Sequence, residues 1–484
     1  MTTQRQSSLF IRQFFLCAFC VAITFSVGSN SQNLPTIGQG VVPASLEKEK
    51  RLGQAWLRHY RRQVPIHSDP LLVEYTESLI ERISRHNADA GDAFSIVIVK
   101  NPRINAFAVP GGVIGVNSGL YQYALSEDQF ASVLAHELAH LSQRHYARGV
   151  EQQKGQKVIS MAALLASLVI AATSGGDVGA AAIQATQAGL IDQQLRFSRN
   201  FEEEADRIGM STLVAAGFDP HGMVEMFEQM QRASRFAAEP PEFLLTHPVT
   251  TKRISDAENR ARAYPKGMQS SSLEYDLIRA RVLFFQEETP QQAINRFQSE
   301  LRGFSPSQSA SHYGLVLALT AAKEYERAFD TLTPLLERHP EQINLIIAKS
   351  DIEAGKNNLD GAIKTIVDAL KAEPGNYALQ FQLSQLYMLK TQYRLAMNVL
   401  DQLKQDRPND PFIYYHLAEL SGLSGDILKL HQSRAEYFIL YGNFEQAKNQ
   451  LKNILKKFPD NQFVVVQARQ RLKDIEVLEK EMKL

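Results

Sequence analysis

The sequence predicts a mostly α-helical protein, with helices and a small antiparallel sheet in its first part and an α-solenoid of paired helices in its second. Long segments with apolar residues at helical spacing predict the helices. Three short β-branched runs between residues 94 and 116 predict the sheet. A period of 34 residues in the second half of the chain predicts the solenoid.

The composition is that of a packed globular protein. Of the 484 residues, 44% are hydrophobic and 21% are charged, which excludes a mostly disordered or collagen-like chain. Lysine and arginine together number 52, and so do aspartate and glutamate. The formal net charge is therefore zero, and no overall field favours binding to nucleic acid. We expect no nucleic-acid partner.

Residues 1–29 have the pattern of a cleaved secretory signal peptide. Arg5 and Arg12 precede an apolar run at 14–27, which is followed by small and polar residues. The alternative is a membrane anchor, but this run falls short of the ~20 apolar residues that span a bilayer. Both cysteines lie inside the segment, so we expect the exported chain to form no disulfide.

Residues 30–270 are expected to form the first folded domain. A Pro-Gly-Gly turn separates the last two β-branched runs, which favours an antiparallel connection. Ser126 is placed to cap a helix that continues through Arg148, because no proline or glycine interrupts the pattern before that residue. Later helices and their stop signals lead to a linker-like stretch near residue 270.

The segment at 158–190 is strongly apolar. Residues 158–173 carry no charge, glycines follow at 175 and 176, and an alanine-rich stretch continues to residue 190. It is either a buried core helix or a hairpin that covers an apolar cleft. The two glycines favour the hairpin, because they allow the chain to bend.

Residues 271–484 are predicted to form a tetratricopeptide repeat domain. Small and helix-ending residues recur at intervals of 34, which is the length of this helix-pair repeat. They are Ala328, Ala362 and Ala396, and Pro340, Pro374 and Pro408. Stacked pairs form a concave face that suits recognition of a protein or peptide, while a spacer or a wall against the first domain is the alternative.

His136-Glu137-Leu138-Ala139-His140 is an H-E-x-x-H motif inside the helix capped by Ser126. Residues four apart share one helix face, so both imidazoles can bind one zinc ion, and Glu137 can act as general base in peptide hydrolysis. The alternative is a pair of surface histidines, but the surrounding apolar residues argue against it. His145 would point off the metal face of a continuous helix, and we expect it to be structural.

A third ligand is expected from a later helix. Glu202 could bind the metal, while Asp206, on the same helix face, fixes a histidine ring from behind. The alternative is a solvated acidic helix start.

The motif at 136–140, followed by E-x-x-A-D at 202–206, resembles the zinc metallopeptidases of the HtpX and CAAX-prenyl-protease type. The segments Asn105-Ala106-Phe107-Ala108, Pro110-Gly111-Gly112, Thr246-His247-Pro248 and Arg253-Ile254 also match that family. The resemblance implies a zincin-like metallopeptidase domain with one zinc ion per chain, held by His136, His140 and Glu202.

The resemblance implies further roles. His247 would approach the zinc as a fourth ligand and keep the enzyme latent, and the segment at 158–190 would plug the cleft. Arg253 would stabilise an oxyanion, with a structural ion pair as the alternative. The strand Asn105-Ala106-Phe107-Ala108 would lie beside the active site, where we expect it to bind extended substrate by strand addition.

With its signal peptide and repeats, the whole chain resembles a periplasmic branch of that family. That likeness implies an endopeptidase that degrades misfolded or stalled outer-membrane β-barrel proteins, assists their assembly, and meets the barrel-assembly machinery through the repeats. The alternative is a non-proteolytic chaperone or assembly scaffold with a structural zinc. Peripheral association with a membrane stays open, and a membrane-embedded protease is a third, weaker hypothesis.

Overall fold

The fold is known from a computed structural model of the chain. It describes residues 43–87, 94–152, 191–236, 241–265 and 272–482. The predicted signal peptide, the segment at 158–190 and the boundary near residue 270 lie outside the described residues. The described residues from Ala44 onward form one compact unit. The predicted fold class, mostly helical with a small sheet and helical repeats, is confirmed.

The helices of the first half pack around one central helix, α4. They are α1 (Pro43–Gln63), α2 (Pro70–Ser84), α3 (Ser118–Tyr123), α4 (Glu127–Ser142), α5 (His145–Gln152), α6 (Ile191–Ala215), α7 (His221–Phe236), α8 (Glu242–Thr246) and α9 (Thr251–Ala261). Nearly every residue of α4 is buried, because α2, α6, α7 and one strand of the sheet contact it. The H-E-x-x-H motif therefore lies in the interior.

The sheet is mixed, where the sequence predicted an antiparallel one. Its strands are β1 (Ser95–Val99), β2 (Ala106–Val109) and β3 (Val113–Asn117), in the order β1-β3-β2. The β2–β3 hairpin is antiparallel as expected, and Gly111 and Gly112 adopt the positive φ angles of its turn. β1 pairs parallel with β3, because the chain between β1 and β2 crosses over instead of forming a hairpin.

Helix α4 begins as predicted and ends earlier. The Ser126 side chain accepts a hydrogen bond from the Gln129 backbone N–H at 3.3 Å, which satisfies a free donor of the first turn. The helix ends at Ser142 and does not continue through Arg148. Arg144 adopts a left-handed backbone conformation with φ of 51°, which breaks the helix before α5 starts at His145.

The second half consists of helices stacked in pairs. They are α10 (Leu273–Gln286), α11 (Pro290–Arg302), α12 (Gln308–Ala321), α13 (Tyr325–Arg338), α14 (Ile343–Gly355), α15 (Leu359–Ala372), α16 (Tyr377–Leu389), α17 (Tyr393–Asp406), α18 (Pro411–Ser424), α19 (Ile427–Leu440), α20 (Phe444–Lys457) and α21 (Gln462–Glu481). The repeated residues Ala328, Ala362 and Ala396 are fully buried, which lets neighbouring helices approach closely.

Polar contacts join the two halves. Glu74 of α2 accepts hydrogen bonds from the backbone N–H groups of Tyr377 and Ala378 at 2.9 and 3.1 Å, and so caps the first turn of α16. Asp69, just before α2, forms a bidentate ion pair with Arg281 of α10 at 2.9 and 2.7 Å. The halves thus share one compact unit, and their division into two domains stays a prediction. Within the described residues, every helix is too short or too polar to cross a membrane.

Candidate metal centre

Helix α4 places two imidazoles side by side in the protein interior. His136 and His140 are one helical turn apart, and their Nε2 atoms lie 3.0 Å from each other. The neighbouring Leu134 and Leu138 are fully buried, and His136 is only 2% exposed. The alternative interpretation, in which the two histidines lie on the protein surface, is therefore wrong. Buried polar rings of this kind require partners.

Helix α6 brings a carboxylate to the same point. Glu202 lies with Oε2 3.3 Å from Nε2 of His136 and with Oε1 3.4 Å from Nε2 of His140. The two helices approach closely because Gly209 of α6 has no side chain, since a Cβ there would lie 3.1 Å from the carbonyl oxygen of Ala135. Glu202 is 4% exposed, so it does not belong to a solvated helix surface.

His247 completes the group from the end of α8. Its Nδ1 atom lies 2.9 Å from Oε1 of Glu202 and 3.4 Å from Nε2 of His136. Its ring stacks on Phe243 with a centroid distance of 4.6 Å. Four donor atoms, one from each side chain, lie within 4.8 Å of one another; the side chains are His136, His140, Glu202 and His247. The structure therefore brings together all four residues that were predicted as metal ligands.

Glu137 lies beside this group with a buried carboxylate. Its Oε1 atom is 3.6 Å from Nε2 of His247 and accepts no hydrogen bond from the part of the chain that the structure describes. The backbone N–H of Ala108, in β2, donates to the same carboxylate. Burial raises the pKa of Glu137 by more than His247 and His136 lower it. The carboxylate is therefore a stronger base than an exposed glutamate.

Asp206 and Arg253 contact and orient the side chains of the candidate metal site. Asp206 Oδ1 lies 3.0 Å from Nδ1 of His136, so a carboxylate faces this side of the ring while Nε2 faces Glu202 and His140. Arg253 donates from Nε and Nη2 to Asp206 at 2.6 and 2.7 Å. Its Nη1 lies 2.9 Å from Glu202 and donates to the Pro248 carbonyl oxygen at 2.9 Å. All three of its nitrogen atoms are engaged, which favours the ion-pair role over contact with an oxyanion.

His145 contacts one of the proposed ligands, His140, which the sequence pattern did not predict. The left-handed residue Arg144 turns α5 so that Nδ1 of His145 lies 3.0 Å from Nδ1 of His140. On its other side, Nε2 of His145 lies 3.1 Å from Oε2 of Glu204. Burial, more than any neighbouring charge, lowers the pKa of His145 to about 3. Nothing in the sequence pattern, which has no glycine or proline at the break, indicates this turn.

The donor set fits a zinc ion. Three imidazole nitrogens and one carboxylate oxygen are ligand types that zinc prefers, and four of them suit its tetrahedral geometry. The pocket also attracts positive charge. Burial lowers the pKa of His136, but its hydrogen bonds with Asp206 and Glu202 outweigh burial and raise that pKa to about 9. A divalent cation among these side chains would supply the missing charge.

Strand β2 lies next to the group, and one of its edges pairs with no other strand among the described residues. The Asn117 N–H donates to the Asn105 carbonyl at 3.0 Å, which makes these two residues a hydrogen-bonded pair. Hydrogen-bonded and non-bonded pairs alternate in an antiparallel ladder. The main-chain N–H and C=O of Phe107 therefore also point towards β3, while those of Ala106 and Ala108 point away from it. Two of the four predicted substrate-binding residues therefore direct main-chain groups away from β3, but Ala106 is fully buried and only Ala108 is part-exposed.

Comparisons with known proteins place the chain in a family. Peptidase family M48 matches residues 70–261, and a tetratricopeptide repeat model matches residues 353–420. A β-barrel assembly-enhancing protease of Yersinia pestis is 32% identical over 416 residues, which cover 86% of this chain and 85% of that protein. The chain belongs to peptidase family M48.

Other relatives of this M48 peptidase carry similar names. The β-barrel assembly-enhancing protease of Escherichia coli (strain K12) is 32% identical over 422 residues, which cover 86% of each chain. The mitochondrial metalloendopeptidase OMA1 of Schizosaccharomyces pombe is 30% identical over 220 residues, which cover 44% of this chain and 61% of that protein. This M48 peptidase is thus a zinc metallopeptidase with tetratricopeptide repeats in its second half.

Proposed function

We propose that this M48 peptidase is a periplasmic endopeptidase that degrades misfolded or stalled outer-membrane β-barrel proteins and assists their assembly. One observation carries the proposal: a buried, partly unpartnered carboxylate, Glu137, lies beside four side chains able to bind a metal ion. The names of the relatives that span most of the chain support the class of substrate. The signal-peptide pattern at 1–29 supports export.

His136, His140 and Glu202 would hold one zinc ion, with His247 at the fourth position. Zinc supplies Lewis acidity, which polarises a peptide carbonyl and makes water a competent nucleophile near neutral pH. Asp206 holds the His136 ring, and Arg253 holds both Asp206 and Glu202 in place. The ion pair thus keeps the buried carboxylates ionised and oriented.

Glu137 would move the proton. Its Oε1 atom accepts the proton of the attacking water and then transfers it to the nitrogen of the departing amine, so that the carboxylate is regenerated. Burial raises the pKa of Glu137, which favours proton acceptance, and the Ala108 N–H fixes the orientation of the carboxylate. The same hydrogen bond ties the base to the strand that we propose binds substrate.

Strand β2 would bind substrate as an added strand. The Ala108 carbonyl, on the side of β2 away from β3, belongs to a part-exposed residue and could accept a hydrogen bond from an extended chain, which would then run past Glu137. The Ala108 N–H is already engaged by Glu137, and Ala106 is fully buried, so further pairing would require the neighbours of Ala106 to move. Main-chain pairing depends little on side-chain identity. It therefore suits unfolded segments of β-barrel proteins, which differ in sequence but share extended strands.

His247 would restrain activity as the fourth ligand. It lies near Glu202 and Glu137, and as a fourth ligand it would take the place that water or a substrate carbonyl needs. His247→Ala should therefore retain zinc and cleave an unfolded barrel protein faster than the parent. Equal or slower cleavage would remove His247 from a latency role.

The repeats would recognise the substrate or the barrel-assembly machinery. A groove of about 480 Å³ lies between strand β1 and the repeat helices, and Tyr415, Tyr437 and Tyr441 contribute to its wall. Aromatic side chains of this kind are enriched where proteins bind each other. The groove supports recognition of polypeptide over a spacer role.

Glu137→Gln tests the proposed activity most simply. The amide keeps the size of the side chain but cannot accept the proton, so we expect zinc to be retained and cleavage of a denatured barrel protein to slow at least ~100-fold. The matched control is Glu203→Gln, because Glu203 is a part-exposed glutamate on α6 that pairs with Lys252. Unchanged turnover by the Glu137 variant would refute the proposed role of Glu137.

The second candidate is a non-proteolytic assembly scaffold with a structural zinc. The helix pairs and their groove favour it independently of the metal group. In that case the Glu137→Gln variant would support barrel assembly in cells as well as the parent does, even though it cleaves nothing.

A further inference from the structure

A chain of polar side chains runs behind His140, away from the other proposed zinc ligands. Nδ1 of His140 lies 3.0 Å from Nδ1 of His145, and Nε2 of His145 lies 3.1 Å from Oε2 of Glu204. Arg148 Nη1 donates to the same Glu204 oxygen at 2.9 Å. The chain therefore links α4, α5 and α6 through one buried ring, since His145 is 5% exposed.

Glu204, the last acceptor in this series of side chains, determines the direction of the hydrogen bonds. A carboxylate can only accept, so Nε2 of His145 must carry a hydrogen that it donates to Glu204. The charge of Glu204 is already balanced by Arg148, which leaves His145 neutral with a lone pair on Nδ1. That lone pair accepts the Nδ1–H of His140. His140 is then left with its own lone pair on Nε2, the atom that lies 3.0 Å from Nε2 of His136.

We propose that His145 is a positioning residue that holds His140 in its metal-binding tautomer, with Glu204 and Arg148 completing the relay. The inference rests on the proposed zinc site and adds to it. The Nδ1 side of His136 faces a carboxylate, Asp206, at 3.0 Å, whereas the Nδ1 side of His140 faces a second histidine at 3.0 Å.

The surroundings of His145 hold its ring in one orientation. Phe201 of α6 stacks on the ring with a centroid distance of 4.6 Å and an interplanar angle of 16°. Arg148 lies over the other aromatic ring of this stack, with its guanidinium carbon 4.9 Å from the Phe201 centroid. Packing alone could explain a buried ring. A test must therefore separate the hydrogen bond from the stack.

Two substitutions at position 145 make that separation. His145→Phe keeps an aromatic ring against Phe201 but removes the acceptor for the His140 N–H. His145→Asn loses the ring but can place an amide oxygen near the former Nδ1 position, where it accepts that hydrogen. The measurement is zinc affinity of the purified full chain, by competition with a chromophoric chelator. His67→Phe is the matched control, because His67 also lies beside an aromatic ring, that of Phe285, outside the metal group.

The relay predicts that His145→Phe weakens zinc binding about 10–100-fold, while His145→Asn and His67→Phe stay close to the parent. A purely packing role predicts the opposite order at position 145, with Asn weaker than Phe, and that result overturns the proposal. Equal affinity of all variants overturns it as well. Should His145→Phe fail to fold, as judged by circular dichroism, Glu204→Ala replaces it, because it removes the acceptor for the Nε2–H of His145; it is expected to lower zinc affinity about tenfold, whereas parental affinity would contradict the relay.

Failure of the relay differs from failure of the zinc site itself. Glu202→Ala is included for this reason. If that variant loses zinc and His145→Phe does not, only the relay is wrong. If the parent binds zinc no better than Glu202→Ala, the proposed metal site is wrong.

Discussion

The metal centre and the repeats of this M48 peptidase are held together in different ways. The centre gathers buried charged and polar groups from α4, α6 and the region around α8 and α9, so its partners are far apart in the sequence. The repeats bury apolar side chains between helices that follow one another in the chain. The structure of the centre therefore depends on a few polar contacts. The structure of the repeats depends on many apolar contacts between neighbouring helices.

The largest expected effect on stability falls on the buried ion pair of the centre. Asp206→Ala leaves the buried guanidinium of Arg253 with only part of its partners. We expect the metal-free protein to lose about 3–5 kcal/mol of unfolding free energy, measured by urea denaturation. Asp256→Ala removes an exposed partner of Arg260 and should leave stability unchanged. A similar small effect for both variants would mean that the centre does not depend on this pair.

A core substitution in the repeats should be nearly as costly and should leave zinc binding alone. Leu400 is fully buried in α17, so Leu400→Ala is expected to cost about 2–5 kcal/mol in urea denaturation. Leu395, on the same helix, is 44% exposed, and Leu395→Ala should cost less than about 0.5 kcal/mol. Zinc affinity should stay at the parental value in both variants. A loss of zinc with Leu400→Ala would show that the two regions are coupled.

A smaller effect is expected where the two regions meet. Glu74→Ala removes the cap that α2 provides for the first turn of α16, which should cost about 1–2 kcal/mol. Glu81→Ala, on the same helix, removes an exposed pair with Arg85 and is the control. We also expect the Glu74 variant to unfold its halves less cooperatively, seen as zinc release before loss of helical circular dichroism. Coincident transitions would indicate that other contacts suffice.

The sequence predicted most of the repeats and the four side chains that the structure brings together as a candidate metal site, for different reasons. The repeated alanines and prolines reflect local packing within each helix pair, and the observed helices follow that pattern. The H-E-x-x-H spacing reports helix geometry, which α4 preserves. The parallel pairing of β1 with β3 was not predicted, because the strand runs carry no signal for the order in which they pair.

The role of His145 could not be predicted either. Its contact depends on a left-handed backbone conformation at Arg144, a residue type that rarely adopts it, so a continuous helix was the natural expectation. The place of Arg253 likewise depends on tertiary packing, because only the folded chain brings its guanidinium to Asp206 and Glu202.

The central claim is that one zinc ion binds where α4 and α6 meet. Crystallography of the zinc-loaded protein, with anomalous diffraction at the zinc edge, tests it directly. We predict one strong anomalous peak about 2.0–2.2 Å from Nε2 of His136, Nε2 of His140 and a carboxylate oxygen of Glu202. A peak at another place, or one that Glu202 does not contact, would contradict the account.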